Sequence, residues 1–280
     1  MNAHRRESGK ILLLTAVALA AALTLSPTLP VFARRNAASQ APLHNKTAKL
    51  MPSDPPVKPL VMPFRAGEKL NYRVSWAAFS SAASVELAVP EQRNLFGYAT
   101  WHFRALAHTL SPVRSLFPID DQLDSYTDAS TLESRQYETH LDEMGKIDDQ
   151  VFHFLPLGEA SRAPGPSIVV LPGTRDPLGT LYALRRVDWD RMPEFRGPVY
   201  DGHDLYEVRA QRDVASEPVK VAAGSFSASR VSVAVFQHEK EITAVHFIVW
   251  FANDALRTPL VMQAQLPFGT LRAELLSASE

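Results

Sequence analysis

Lys69-Leu70-Asn71-Tyr72-Arg73-Val74-Ser75-Trp76 alternates polar and apolar residues at every step. A strand places successive side chains on opposite faces. Leu70, Tyr72, Val74 and Trp76 therefore share one face, and Lys69, Asn71, Arg73 and Ser75 the other. The same period recurs outward from this stretch. Val85, Leu87 and Val89 repeat it, and Ala99, Trp101, Phe103 and Ala105 repeat it opposite Thr100, His102 and Arg104. Further strands are expected at residues 135–140, 149–154, 204–209, 219–223, 229–237, 241–251, 260–265 and 269–276. Polar turns at 92–94, 143–146, 237–240, 252–254 and 267–269 separate them. Many short strands with close turns define an antiparallel meander. The fold class is mainly β: a single curved antiparallel sheet or incomplete barrel. No repeat of fixed period points to a propeller or solenoid.

One helix breaks the pattern, at about residues 175–187. Asp176-Pro177 supplies an N-cap followed by proline at the first helical position. Leu178, Leu181, Tyr182 and Arg185 then fall on one face. Arg185 and Arg186 stand near the C-terminal end, where the helix dipole favours cations. This helix is expected to cover the sheet or close one end of it, with 188–198 as an irregular loop beside it.

Upstream of the strands the chain changes character twice. Residues 1–33 carry Arg5, Arg6 and Lys10, then the apolar run 11–25, then Val31-Phe32-Ala33 with small residues placed for cleavage. These are the three parts of a secretory signal peptide. The alternative is a retained anchor, but a run of about 15 residues falls short of the ~20 that span a bilayer. Residues 34–63 are rich in Ala, Pro, Lys, Ser and Asn without periodicity, and read as a disordered linker. The β domain is expected at 64–280. The sequence has no cysteine, which excludes disulfides, thiolate metal sites and thiol nucleophiles. A formal net charge of −1 gives no electrostatic footprint for nucleic acid. The expected location is periplasmic or secreted.

Chemistry-bearing motifs are sparse. There is no G-x-S-x-G elbow, P-loop, G-x-G-x-x-G or H-E-x-x-H, so hydrolase, nucleotide and zinc-protease signatures are missing. His102 and His108 share a strand face but lie ~20 Å apart, too far to share an ion. His203, between Asp201 and Asp204, reads as a turn. Asp120, Asp124 and Asp128 would share a strand face. They read as a solvated face or as a calcium site without the EF-hand spacing. Asp254 and Arg257 read as a hairpin turn or as an ion pair at a pocket rim. No metal and no cofactor are expected. The apolar candidates for ligand binding are Trp76, Trp101, Phe103, Phe247, Val249 and Trp250. Residues 244–251 are apolar on both faces, so that strand is either covered on both sides or lines a cavity.

Four segments in order carry a resemblance. They are Gly67-Glu68-x-Leu70-x-Tyr72-x-Val74-Ser75-Trp76; the Asp121 to Tyr126 segment; Asp176-Pro177-Leu178-x-x-Leu181-Tyr182-Ala183-Leu184-Arg185; and Trp250-Phe251-Ala252-Asn253-Asp254-x-x-Arg257-x-Pro259, followed by Phe268-Gly269. Together, over about residues 64–276, they resemble an uncharacterised family of bacterial exported proteins, a DUF3108-like domain of unknown function. The chain departs from that pattern at Ala82-Ala83, where a glycine is expected in the first turn. The resemblance implies a periplasmic, mainly antiparallel β domain and assigns no catalytic residue. At fold level the arrangement is similar to periplasmic lipoprotein-carrier half-barrels, which carries no site information. Three functions follow as expectations: a non-enzymatic envelope protein binding a lipid or other apolar ligand; a structural or interaction module working through a sheet edge with an envelope partner; or a hydrolase using Asp120, Asp121, Asp124 or Asp176.

Overall fold

The computed structural model describes residues 61–279. The leader expected at 1–33 and nearly all of the linker expected at 34–63 lie outside the described residues.

The strands are β1 (Lys69–Trp76), β2 (Phe79–Leu95), β3 (Tyr98–Thr109), β4 (Ile119–Asp128), β5 (Ser134–Glu143), β6 (Lys146–Pro156) and β7 (Ser167–Val170). After the helix α1 (Pro177–Arg186) come β8 (Glu194–Tyr200), β9 (Leu205–Val221), β10 (Gly224–Gln237), β11 (Lys240–Glu241), β12 (His246–Ala252), β13 (Pro259–Leu266) and β14 (Gly269–Ser279). They form one large curved sheet with hydrogen-bonded order β7-β6-β5-β4-β3-β2-β1-β14-β13-β12-β10-β9-β8, and β11 pairs with β10. Only β6 and β7 pair in parallel within it. β1 and β14 meet at the middle of this order, so the sheet has two wings: β2 to β7 on one side, β13 back to β8 on the other.

The wings approach each other without joining in a ladder. Arg175, just before α1, makes an isolated parallel bridge with Val199 of β8. Its N–H donates to the Pro198 carbonyl at 3.1 Å, and the Tyr200 N–H donates to its carbonyl at 2.9 Å. Pro198 has no N–H to extend the bridge along β8, and Pro172 similarly interrupts the chain leaving β7. A seam therefore remains between β7 and β8.

The inward faces are those the alternation marks. Leu70, Tyr72 and Val74 of β1 are buried, as are Phe103 and Ala105 of β3 and Phe247, Val249 and Phe251 of β12. Each of the leucine, valine and phenylalanine side chains among them contributes about 1.5–3 kcal/mol of burial. The helix lies against this face, touching β3, β4 and β8 and so both wings. It is buried from Pro177 through Arg185, on every side rather than along one stripe. Tyr182 stacks on Phe103 with centroids 3.8 Å apart, and Phe64 meets Trp101, Phe103 and Tyr182 edge-on at 5.2–5.3 Å.

Several boundaries differ from the sequence expectation. Residues 92–94 continue β2, and the turn falls at Phe96-Gly97, both with positive φ. A register shift between Ala88 and Glu91 lets the polar run stay paired to β3. Ala82 and Ala83 are buried within β2; the first turn is at Ala77-Ala78 instead. Residues 194–200, expected as loop, form β8, an edge strand in which Gly197 and Pro198 are tolerated. The two strands expected at 204–209 and 219–223 are one strand, β9, whose register shifts against β10 absorb the polar interval. The stretch expected at 241–251 is broken after Glu241, and β12 starts at His246. Arg185 does not answer the helix dipole in solvent. It is buried, and its guanidinium grips the Glu68 carboxylate at 2.5 and 2.8 Å while Nε donates to the Leu256 carbonyl at 2.8 Å.

Candidate functional site

Five of the six apolar candidates share the inner face. Phe103, Phe247 and Val249 are buried in the core, while Trp76 and Trp101 are partly buried and pack against it. Trp101 packs on Phe64, and Trp76 stacks with Phe79 at 6.2 Å. Trp250 points the other way. Its indole N–H donates to Glu217 at 2.5 Å, and Arg272 sits 5.5 Å above its ring. The apolar outer face of β12 is thus half-covered by long polar side chains.

The acids are divided between the faces. Asp120 and Asp124 lie on the outer face of β4. Bonds of 2.6 and 3.0 Å from Arg114 hold Asp120 below the usual carboxylate range. Burial works against the Asp124 charge, but bonds from His102, Gln122 and Arg104 at 2.5, 2.6 and 2.7 Å outweigh it and lower its pKa. Asp128 caps its own turn, accepting from the Ser130 and Thr131 N–H groups. On the inner face Asp121 is 7% exposed. Burial, reinforced by the Glu143 charge, pushes its pKa to about 7. Asp176 is fully buried as the N-cap of α1, accepting from the Gly179 N–H at 2.8 Å, from Ser125 at 2.5 Å and from Ser134. Burial raises its pKa despite those bonds. Asp121, Asp176 and Asp201 all act electrostatically on the buried Tyr137. No group of three or more His, Asp or Glu arranged for a metal ion occurs among the described residues. Asp254 is a turn residue, accepting from the Leu256 and Arg257 N–H groups at 3.0 and 2.9 Å. Asp201 does the same for His203 and Asp204.

An accessible concavity lies at the seam. A groove of about 660 Å³ runs between residues 171–172 and the outer face of β8, β9 and β10. Leu171, Pro172, Pro198, Leu205 and Phe236 supply its apolar surface. Leu171 and Leu205 are 53% and 45% exposed, so the surface is open to solvent rather than packed. The strand register sets out its polar groups in rows. Pro198 pairs with Glu207, which pairs with Phe236; in the next row Arg196 pairs with Arg209. Arg209 bonds Glu207 through Nε and lays its guanidinium 3.8 Å over the Phe236 ring. That bond holds Glu207 below its ordinary pKa. Arg196 is exposed and makes no hydrogen bond or ion pair among the described residues. His238 and Glu239, in the turn after β10, line the groove as well.

None of these groove residues was marked by the sequence. Arg196 and Pro198 sit in what reads as loop, and the pairing of Arg196 with Arg209 depends on a register no local pattern reveals.

Residues 71–276 match the family described as protein of unknown function DUF3108. The chain belongs to the DUF3108 family. No curated protein matches it. Among solved structures, this DUF3108 chain is similar to a β-barrel-like protein of domain of unknown function DUF1849 from Brucella abortus. The identity is 10%, the coverage 76% of this chain and 96% of the other, and the TM-score 0.48. It is also similar to a protein described as exported, with a YmcC-like fold, from Bacteroides fragilis (11% identity, 78% and 98% coverage, TM-score 0.37). A third is described as a lipoprotein, from Parabacteroides distasonis (10%, 78% and 97%, TM-score 0.36). No helix among the described residues of the DUF3108 chain is long and apolar enough to cross a membrane.

Proposed function

We propose that this DUF3108 chain is a non-enzymatic binding protein of the cell envelope, and that it holds an apolar ligand in the seam groove. One observation carries the reading. The groove presents Leu171, Pro172, Pro198, Leu205 and Phe236 to solvent in about 660 Å³, within the size range of small-molecule sites. The leader at residues 1–33 supports a periplasmic or secreted location. An apolar ligand against Phe103 on the inner face would have to displace Tyr182 of α1, which stacks on that ring.

The test is native mass spectrometry of the protein exported to the periplasm of an expression host and purified without detergent, then titration with dodecanol. A retained lipid-sized adduct or saturable dodecanol uptake, lost in Leu205→Asp at unchanged thermal midpoint, supports the reading. An apo mass together with no uptake overturns it. Loss of uptake only in variants of Phe247 or Val249 moves the ligand to the inner face.

A second reading has its own observation. β6 pairs with β7 only from His153 to Pro156, so its stretch from Lys146 to Phe152 has β5 on one side and no strand on the other. Ile147 and Val151 on it are 61% and 50% exposed. A partner strand could add there, against the charges of Lys146, Asp148 and Asp149 that blunt the edge. Cross-linking from position 149 that captures one stoichiometric partner would favour it.

A further inference from the structure

We infer that the seam groove selects an anionic amphiphile, with the negative head between Arg196 and Arg209 and the apolar chain along Leu205 and Leu171. This rests on the groove being the ligand site.

The groove is polarised along its length. At one end Arg196 and Arg209 stand directly opposite each other on neighbouring strands, on the same face. Such pairs place their Cβ atoms about 4.5–5.5 Å apart, and like charges there destabilise the sheet. One carboxylate answers both: Glu207, already bonded to Arg209. Arg196 makes no hydrogen bond among the described residues, and its charge acts on Glu207 only through space. The neighbouring acid on β8, Glu194, pairs across to Gln211, one row further from the groove. The other end carries His238 and Glu239, and the Glu239 carboxylate repels an anion. Pro198 and Phe236 lie between the ends, in one row with Glu207, whose carboxylate is turned to Arg209. Arg209 is fixed by stacking on Phe236, so one half of the cationic site is already oriented.

An anionic head therefore gains two guanidinium contacts and relieves the Arg196–Arg209 repulsion, while its chain covers exposed leucine. Carboxylate and phosphate heads both satisfy the chemistry, since a guanidinium fork binds either through paired N–H donors. A cationic head meets repulsion at one end and only Glu239 at the other.

The experiment measures dissociation constants of dodecanoate, dodecyl phosphate, dodecanol and dodecyltrimethylammonium, below their aggregation limits, for the periplasmically exported protein. Arg196→Gln and Arg209→Gln are measured alongside. The expected result is dodecanoate or dodecyl phosphate binding about tenfold tighter than dodecanol. That preference should fall to near unity in Arg196→Gln, with dodecanol affinity unchanged. The tighter of the two anions names the head class. Equal binding of dodecanol and both anions overturns the head site and leaves the apolar groove standing. An anion preference that survives Arg196→Gln overturns its placement. Tightest binding of the cation overturns it as well. No binding by any of the four overturns the groove reading itself, and this inference with it.

Discussion

The concave side and the seam treat charge in opposite ways. On the concave side Arg185 and Glu68 answer each other completely, a backbone carbonyl takes the remaining Nε donor, and Asp176 is ringed by Gly179, Ser125 and Ser134. At the seam two arginines face each other over one glutamate, and leucines are left in solvent. The first arrangement fixes a helix inside a curved sheet. The second leaves one guanidinium without a hydrogen bond and leucines without a cover among the described residues. Polar side chains that are fully used describe architecture, and polar side chains that are not used mark where a second molecule fits.

The difference can be broken most decisively on the concave side. Arg185→Ala leaves Glu68 buried without a partner and should cost about 3–5 kcal/mol, read as a lower urea midpoint. A loss under about 1 kcal/mol would mean that α1 is not held there by the pair. Asp176→Ala removes the helix cap and should cost ~1–2 kcal/mol in the same assay.

A pH titration sharpens the contrast at intermediate scale. The Asp121 carboxyl keeps its proton to about pH 7 when folded, whereas in the unfolded chain it loses it near 4. Between those values the folded state binds more protons than the unfolded one. The stability this gives is complete below about pH 4 and declines as pH rises towards 7. Asp176, also raised by burial, adds in the same direction. Asp121→Asn should flatten this slope in urea melts taken from pH 4 to 8; an unchanged slope would remove Asp121 from the account. The smallest expected effect is at the seam. Arg196→Ala should move stability by no more than about 0.5 kcal/mol, as for an exposed residue whose charge meets Glu207 only through solvent. A large drop there would show that the guanidinium is structural after all.

What the sequence revealed follows the range of the interactions. The β1 alternation and the Asp176-Pro177 cap are local, and both mark their elements correctly because neighbouring residues decide them. β8 was hidden because Gly197 and Pro198 are poor strand residues, acceptable only at an edge whose far side is nearly free. The partner of Arg185 lies 117 residues away, and no periodicity reaches that far. The six apolar candidates were recognisable as apolar, but their side of the sheet was not always so: Trp250 alternates away from Phe247 and Val249 by the same period that identified the strand. The groove was invisible because it is built from the facing of two wings.

The meeting of β1 with β14 has a consequence for how the protein comes into being. The strand furthest along the chain, Gly269–Ser279, is the one that joins the two wings, by pairing with β1 on one edge and β13 on the other. During directional synthesis the first wing can pair strand by strand as it emerges, whereas the second gains the ladder that joins it to the first only once Gly269–Ser279 is released. Joining of the two wings is thereby tied to the arrival of β14. Polypeptides halted before Gly269 should keep the second wing protease-sensitive, and a synthetic strand matching residues 269–279 should protect it.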